Sequence, residues 1–196
     1  MSRADRRTAL LDVARDIVAT EGFSALAIDR VARAAHVTRT VIYQHFTDLP
    51  GLMTALLDRE SAIAFTGMGT VDWTGAQSGS DAEQVGHGVL AYLHASPTSW
   101  RIILRPSDGA PPELRKRIEI GRAYARKVAT RHLSRATGHT VDPDGVTARI
   151  LLSSIEELAR LHLEDAQRHP DDLVLQYLQS LVAWAVRVEL ASATAG

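Results

Sequence analysis

Between Gly22 and Phe46 the chain reads GFSALAIDRVARAAHVTRTVIYQHF, and this stretch constrains the fold more than any other. Ile28, Val31, Ala32 and Ala35 recur at i, i+3, i+4 and i+7, the spacing that buries one face of a helix. A second helix can start after His36 and Val37, because the Thr38 hydroxyl can accept from an open backbone N–H of the first turn. On that helix Ile42 and Phe46, four apart, turn inward, while Arg39 with Tyr43 and Thr40 with Gln44 share the opposite side. A helix-turn-helix lays its second helix in the major groove with its N-terminal residues at base edges, and a cationic, hydroxyl and amide face suits that task. A helical hairpin of a larger bundle, with a solvated outer face, has the same pattern. The residues alone leave both readings open.

With 196 residues, 45% of them hydrophobic, the chain can bury a sizeable core as one domain or as a small domain fused to a larger one. Cysteine is absent, which excludes a disulfide framework and a thiolate zinc site. MSRADRRTALLDVARD is charged throughout, unlike a signal peptide, and no uncharged apolar run approaches a membrane span; no membrane association and a cytoplasmic location are expected. The formal net charge is -1, yet the segment through Thr47 carries seven cations against five anions, and the remainder 15 against 18. That asymmetry has the right sign for an N-terminus that meets DNA. Arg3, Arg6 and Arg7 form a basic arm that either lies along a duplex or frays into solvent.

In chain order, a first helix is predicted from about Asp5 to Thr20, stopping at Gly22, and with the two helices above it makes a three-helix head. A fourth helix follows, capped by Asp48, with Pro50 tolerated in its first turn and Leu52, Leu56, Ile63 and Phe65 apolar. Glycines 67, 69, 75 and 79 then break the periodicity, and the stretch from Gly67 to Ser80 reads as a loop. Further helices are predicted over about 82–95, 99–104, 113–137, 143–169 and 171–191, with a loop over 106–112. No stretch alternates like a strand. The fold class expected is all-α, with a helix-turn-helix head over residues 1–47 and a helical bundle body over 48–196.

VTRTVIYQHF, preceded by AIDRVARAAH and followed by TDLPGLMTALLDRE, resembles the DNA-binding region of the TetR (tetracycline-repressor) family of bacterial regulators. The resemblance covers roughly residues 8 to 60, and Tyr43-Gln44-His45-Phe46 after the Val37-Thr38 turn is its most specific part. It implies that Thr38, Arg39, Thr40, Tyr43 and Gln44 face the groove or the phosphates of a double-stranded DNA operator. Four positions depart from the family pattern. Ala27 stands where a capping Ser or Thr is usual, His36 where a turn glycine is usual, Val41 where a Thr is usual and Leu49 where a Lys is usual. Phosphate contacts supply affinity and position, so these departures predict weaker and less salt-sensitive DNA binding.

In the body, Leu173 to Leu190 is apolar on more than one face, as is the helix before it, with Ile150, Leu151, Leu152, Ile155, Leu158, Leu161 and Leu163. A helix apolar nearly all round is buried on two sides. The expected partner is a second copy of the chain, and the resemblance implies the same homodimer through the last two helices. Gly86, Gly88 and Gly121 lie inside predicted helices, where each costs about 1 kcal/mol relative to Ala, and they are expected to make room. Tyr92, Trp100 and Tyr124 are the candidate lining of a pocket for an unknown small-molecule effector. Arg115, Arg122, Arg126, Lys127 and Arg131 read as a solvated face, and Glu156 with Arg160 as an i, i+4 ion pair. No catalytic residue, metal or cofactor is expected. No His pair stands at i, i+4 and no HExxH or phosphate-loop pattern occurs; His87 and His94, two turns apart, could in principle meet at one metal with a carboxylate, but the first reading of a histidine at helical spacing is core or surface. The expected function is a ligand-responsive regulator, a repressor rather than an activator. The alternative is a helical ligand-binding or scaffolding protein whose head has lost specific DNA binding.

Overall fold

The computed structural model describes residues 2–66, 81–105 and 111–194. The loop expected from Gly67 to Ser80, and residues 106–110 of the loop expected before Pro112, lie outside the described residues. Among those described, the regular structure is helical throughout: α1 (Arg3–Glu21), a 3-10 turn (Phe23–Ala25), α2 (Ile28–Ala34), α3 (Arg39–Tyr43), α4 (Leu49–Thr66), α5 (Asp81–Ala95), α6 (Pro97–Ile103), α7 (Pro112–Thr137), α8 (Val146–Glu164) and α9 (Asp171–Thr194). The all-α expectation holds. No helix among the described residues is long and apolar enough to cross a membrane.

Contacts divide the chain into two compact units, residues Met1–Thr66 with Thr98–Ile118, and Gly67–Pro97 with Glu119–Gly196. The first unit is wider than a head ending at residue 47. Leu52, Met53, Leu56 and Leu57 of α4 close over Leu10, Leu11, Ala14 and Val18 of α1, with Val31, Ile42 and Phe46 from the motif and Ile102 and Leu114 from later in the chain. The apolar spacing of α4 serves this core. Asp48 caps α4 as its sequence position predicts, its Oδ1 accepting from the Gly51 N–H at 2.7 Å. At the far end of α4, Glu60 is only 1% exposed. Its two oxygens are occupied separately, one by Arg59 Nη2 at 2.8 Å and the other by the Ser99 hydroxyl at 2.7 Å. Arg59, partly buried, also reaches the half-exposed Asp12 Oδ1 at 2.8 Å, so a charge network from the surface to the buried Glu60 joins α1, α4 and α6.

In the second unit α9 packs on both α5 and α8. Leu133, Val141, Leu151 and Ala185 form a core with Trp184 and Leu181 against it. Gly86 makes room for a neighbouring helix: a Cβ there would come within 2.5 Å of Leu175 Cδ1. A Cβ at Gly121 would meet nothing within 4 Å. Three sequence expectations change. Arg126 is buried, its Nε donating to the Pro143 carbonyl at 3.1 Å and its Nη2 to Glu119 and Asp144, so it anchors the α7–α8 connection instead of facing solvent. Arg160 pairs with Glu157 and Glu164, while Glu156 pairs with Arg122 of α7 at 3.0 Å. Helix α8 ends at Glu164, five residues earlier than His169, because the Asp165 carboxylate accepts the N–H groups of Gln167 and Arg168 and turns the chain.

Candidate nucleic-acid interface

The turn between α2 and α3 sets the direction of the second helix. His36 N–H reaches the Arg33 carbonyl at 3.2 Å and Val37 N–H reaches the Ala32 carbonyl at 2.9 Å, the paired bonds of a Schellman ending. Such an ending needs a left-handed residue, and His36 supplies it at φ 53°. This is a strained conformation for a side chain with a Cβ, although His is among the residues that tolerate it. A glycine would remove the strain.

Helix α3 is only five residues long, too short to persist by its own hydrogen bonds. Two devices hold it. Ile42 is fully buried and Phe46 nearly so, fixing its inner face to the core of the first unit. At its C-terminal end the Arg7 guanidinium lies 4.4 Å from the Phe46 ring centre and donates to the His45 carbonyl at 2.8 Å, and Arg3 donates to the Gln44 carbonyl at 3.1 Å. Cations at open carbonyls of a helix end are favourably placed. Arg3 and Arg7 are therefore neither a free arm nor a frayed end. They belong to α1, whose start is fixed by a capping box between Ser2 and Asp5. Burial, with the charges of Arg3, Arg7 and Arg6, holds the His45 imidazole below its ordinary value.

The outer face is what the spacing predicts. Thr38, Arg39, Thr40 and Gln44 are exposed, and Tyr43 is 52% exposed beside the buried Ile42. Thr38 sits at the N-cap position, but its side chain makes no capping hydrogen bond, so its hydroxyl is not committed to the helix it begins. Arg39 forks onto the Asp29 carboxylate of α2, with Nη2 at 2.5 Å from Oδ2, and both partners are at least half exposed. No sequence signal points to this pair, because its members are ten residues apart on different helices. Ala27 is the N-cap of α2 and offers no side-chain bond. Leu49 turns toward the core of the first unit.

This geometry is that of a bacterial regulator's DNA-binding head: residues 10–56 match the model of the bacterial regulatory proteins of the tetR family. Over these residues the chain is similar to the DNA-binding domain of the TetR family. The likeness of fold extends over the whole chain. A transcriptional regulator from Rhodococcus sp. RHA1 superposes with a TM-score of 0.72 at 15% identity, covering 92% of this chain and 96% of that one. A TetR-like transcriptional regulator from the same organism gives 0.67 at 18%, covering 93% and 96%. The multidrug binding protein EbrR, solved with malachite green, gives 0.65 at 19%, covering 90% and 97%. At such identities it is the TetR fold that is shared.

The aromatic residues expected to line an effector pocket lie in both units. Tyr92 is buried on α5 and Tyr124, on α7, is 54% exposed; both are in the second unit. Trp100 of α6 is in the first, its ring edge-on to Phe65 of α4 at 5.7 Å between centres.

Proposed function

We propose that this chain is a ligand-responsive repressor of the TetR type that binds a pseudo-palindromic operator as a homodimer in the cytoplasm. The observation that carries the reading is the face formed by Thr38, Arg39, Thr40, Tyr43 and Gln44, exposed together on a helix whose opposite side is locked by Ile42 and Phe46. Its donors and acceptors suit base edges, and the threonine hydroxyls suit phosphates. The dimer reading is supported by the large apolar side chains left exposed on the last two helices: Val146, at 74%, and Ile150 one turn on along α8, with Tyr177 and Leu190 on α9. Two heads related by a two-fold axis would meet two half-sites. An apolar or aromatic effector is supported by the fold shared with EbrR, and Tyr92 and Tyr124 of the second unit remain its proposed contacts. The effector would act by binding the two head arrangements with different affinity, so that occupancy lowers operator binding.

The test is selection of the purified protein against random duplex DNA, followed by sequencing, at low and at physiological salt. The expected result is a pseudo-palindrome that survives physiological salt and disappears when Tyr43 and Gln44 are both replaced by Ala. Enrichment of no sequence would overturn the reading in favour of a helical ligand-binding protein, which the bare Ala27 cap and the inward Leu49 would then explain. Sedimentation as a monomer at micromolar concentration would overturn the dimer. An effector response unchanged by replacing Tyr92 or Tyr124 would remove those residues from its contacts.

A further inference from the structure

Far along the sequence from the DNA face, the second unit gathers three side chains that no spacing rule connects. His94 stands in the last turn of α5, His162 in the last turn of α8, and Asp171 is the first residue of α9. Their ligand atoms form a small triangle. His94 Nε2 is 3.3 Å from His162 Nε2 and 3.2 Å from Asp171 Oδ1, and His162 Nε2 is 3.6 Å from the same oxygen. Ligand atoms around a tetrahedral ion with bonds of about 2.0–2.1 Å stand about 3.3 Å apart. The triangle therefore has the size of one face of such a tetrahedron.

The surroundings orient the atoms for this task. His162 Nδ1 lies 2.9 Å from the His169 carbonyl oxygen, which can only accept, so the ring proton sits on Nδ1 and Nε2 turns a lone pair toward the triangle. His169 is itself placed by its Nδ1, which donates to the Leu161 carbonyl at 3.1 Å. The side chain of His162 is 6% exposed, whereas His94 and Asp171 are half exposed and leave a path from solvent. Both histidines stand at C-terminal helix ends, where the carbonyl dipoles favour positive charge. Two imidazole nitrogens facing each other at 3.3 Å need a proton or a cation between them.

We infer that His94, His162 and Asp171 form a binding site for a divalent ion of the zinc class, with a fourth position left for water or an added ligand. Two imidazoles and one carboxylate suit a borderline transition ion, whereas magnesium and calcium take oxygen donors. The bound ion ties the ends of α5 and α8 to the start of α9, close in sequence to Thr98, where the chain passes into the first unit. This goes beyond the regulator reading and stands or falls separately from the DNA selection above.

The experiment is calorimetric titration of the full chain, freed of metal with a chelator, with zinc chloride, and in parallel with cobalt(II) followed by visible absorption. The expected result is one equivalent of zinc per chain, a cobalt spectrum of tetrahedral intensity, and a thermal midpoint raised by zinc. His94→Ala and Asp171→Asn, at half-exposed positions that do not threaten the core, are each expected to weaken zinc at least about tenfold and to abolish the thermal shift. His87→Ala is the control, since His87 lies 3.7 Å from Glu83 on its own helix and should change neither. Absence of zinc binding by the wild-type chain, or equal affinity in His94→Ala, would overturn the inference.

Discussion

Replacing Asp29 by Asn should make the head bind DNA more tightly and with a steeper dependence on salt. Arg39, on the outer face of α3, is forked onto the Asp29 carboxylate, so its charge is cancelled within the protein before any phosphate is met. Because both partners are at least half exposed, the pair adds only about 0–1 kcal/mol to stability, and its loss should leave the fold intact. Each cation that newly neutralises a phosphate steepens the slope of log K against log salt by about 0.9. Between 50 and 200 mM salt, a fourfold change, one freed Arg39 per head corresponds to about a 3.5-fold difference. Anisotropy of a labelled random-sequence duplex reads this without knowledge of the operator. Asp29→Asn should bind more tightly at 50 mM, and its advantage over the wild type should shrink about 3.5-fold per engaged head by 200 mM. An unchanged slope, or weaker binding at every salt concentration, would refute the reasoning and show that Asp29 holds Arg39 in the pose that DNA requires.

Three further outcomes are expected. Ser99→Ala removes the donor to a buried Glu60 oxygen, a hydrogen bond to a charged group, and should cost about 1.5–3 kcal/mol in urea unfolding; a loss below about 0.5 kcal/mol would mean the carboxylate finds another donor. The His45 imidazole titrates below its ordinary value of 6.5 in the folded chain, so the unfolded chain takes up its proton first, and stability falls as pH drops below about 6.5. His45→Gln should therefore lose less stability than the wild type between pH 7 and pH 5, and equal losses would place the acid sensitivity elsewhere. Gly121→Ala, at a position where a Cβ meets nothing, should gain about 0.8–1 kcal/mol in denaturant, and a loss would reveal a partner that approaches the α7 backbone closely.

Much of the head was legible because its information is local. Ile42 and Phe46 fall four apart on one short helix and Tyr43 falls between them, so burial of the first two and exposure of the third follow from the helical period alone. His36 was legible only through the resemblance, which puts a turn glycine where His36 now takes φ 53°. What escaped were partners distant in sequence. Glu156 lies one turn from Arg160 but finds Arg122 on another helix, and Arg126 falls in a run of cations yet is buried against Asp144 and Pro143. The proposed metal triangle escaped in the same way, because His94 and His162 are 68 residues apart, while helical spacing pairs His94 with His87 on its own helix. Thr38 shows a subtler limit: the sequence placed it at the cap position, but position alone does not commit its hydroxyl to the backbone.

The tether between α1 and α3 bears on how any mutational map of this head is read. Arg3 and Arg7 sit among the basic residues of an N-terminus that such a map would score as DNA contacts, yet their charges already serve the Gln44 and His45 carbonyls. Under the proposed reading, substituting them would tilt α3 and so lower affinity for every sequence, without removing a phosphate contact. Loss of binding is thus a poor census of the interface here, and a residue's effect on the salt slope is the better criterion for counting it as touching DNA.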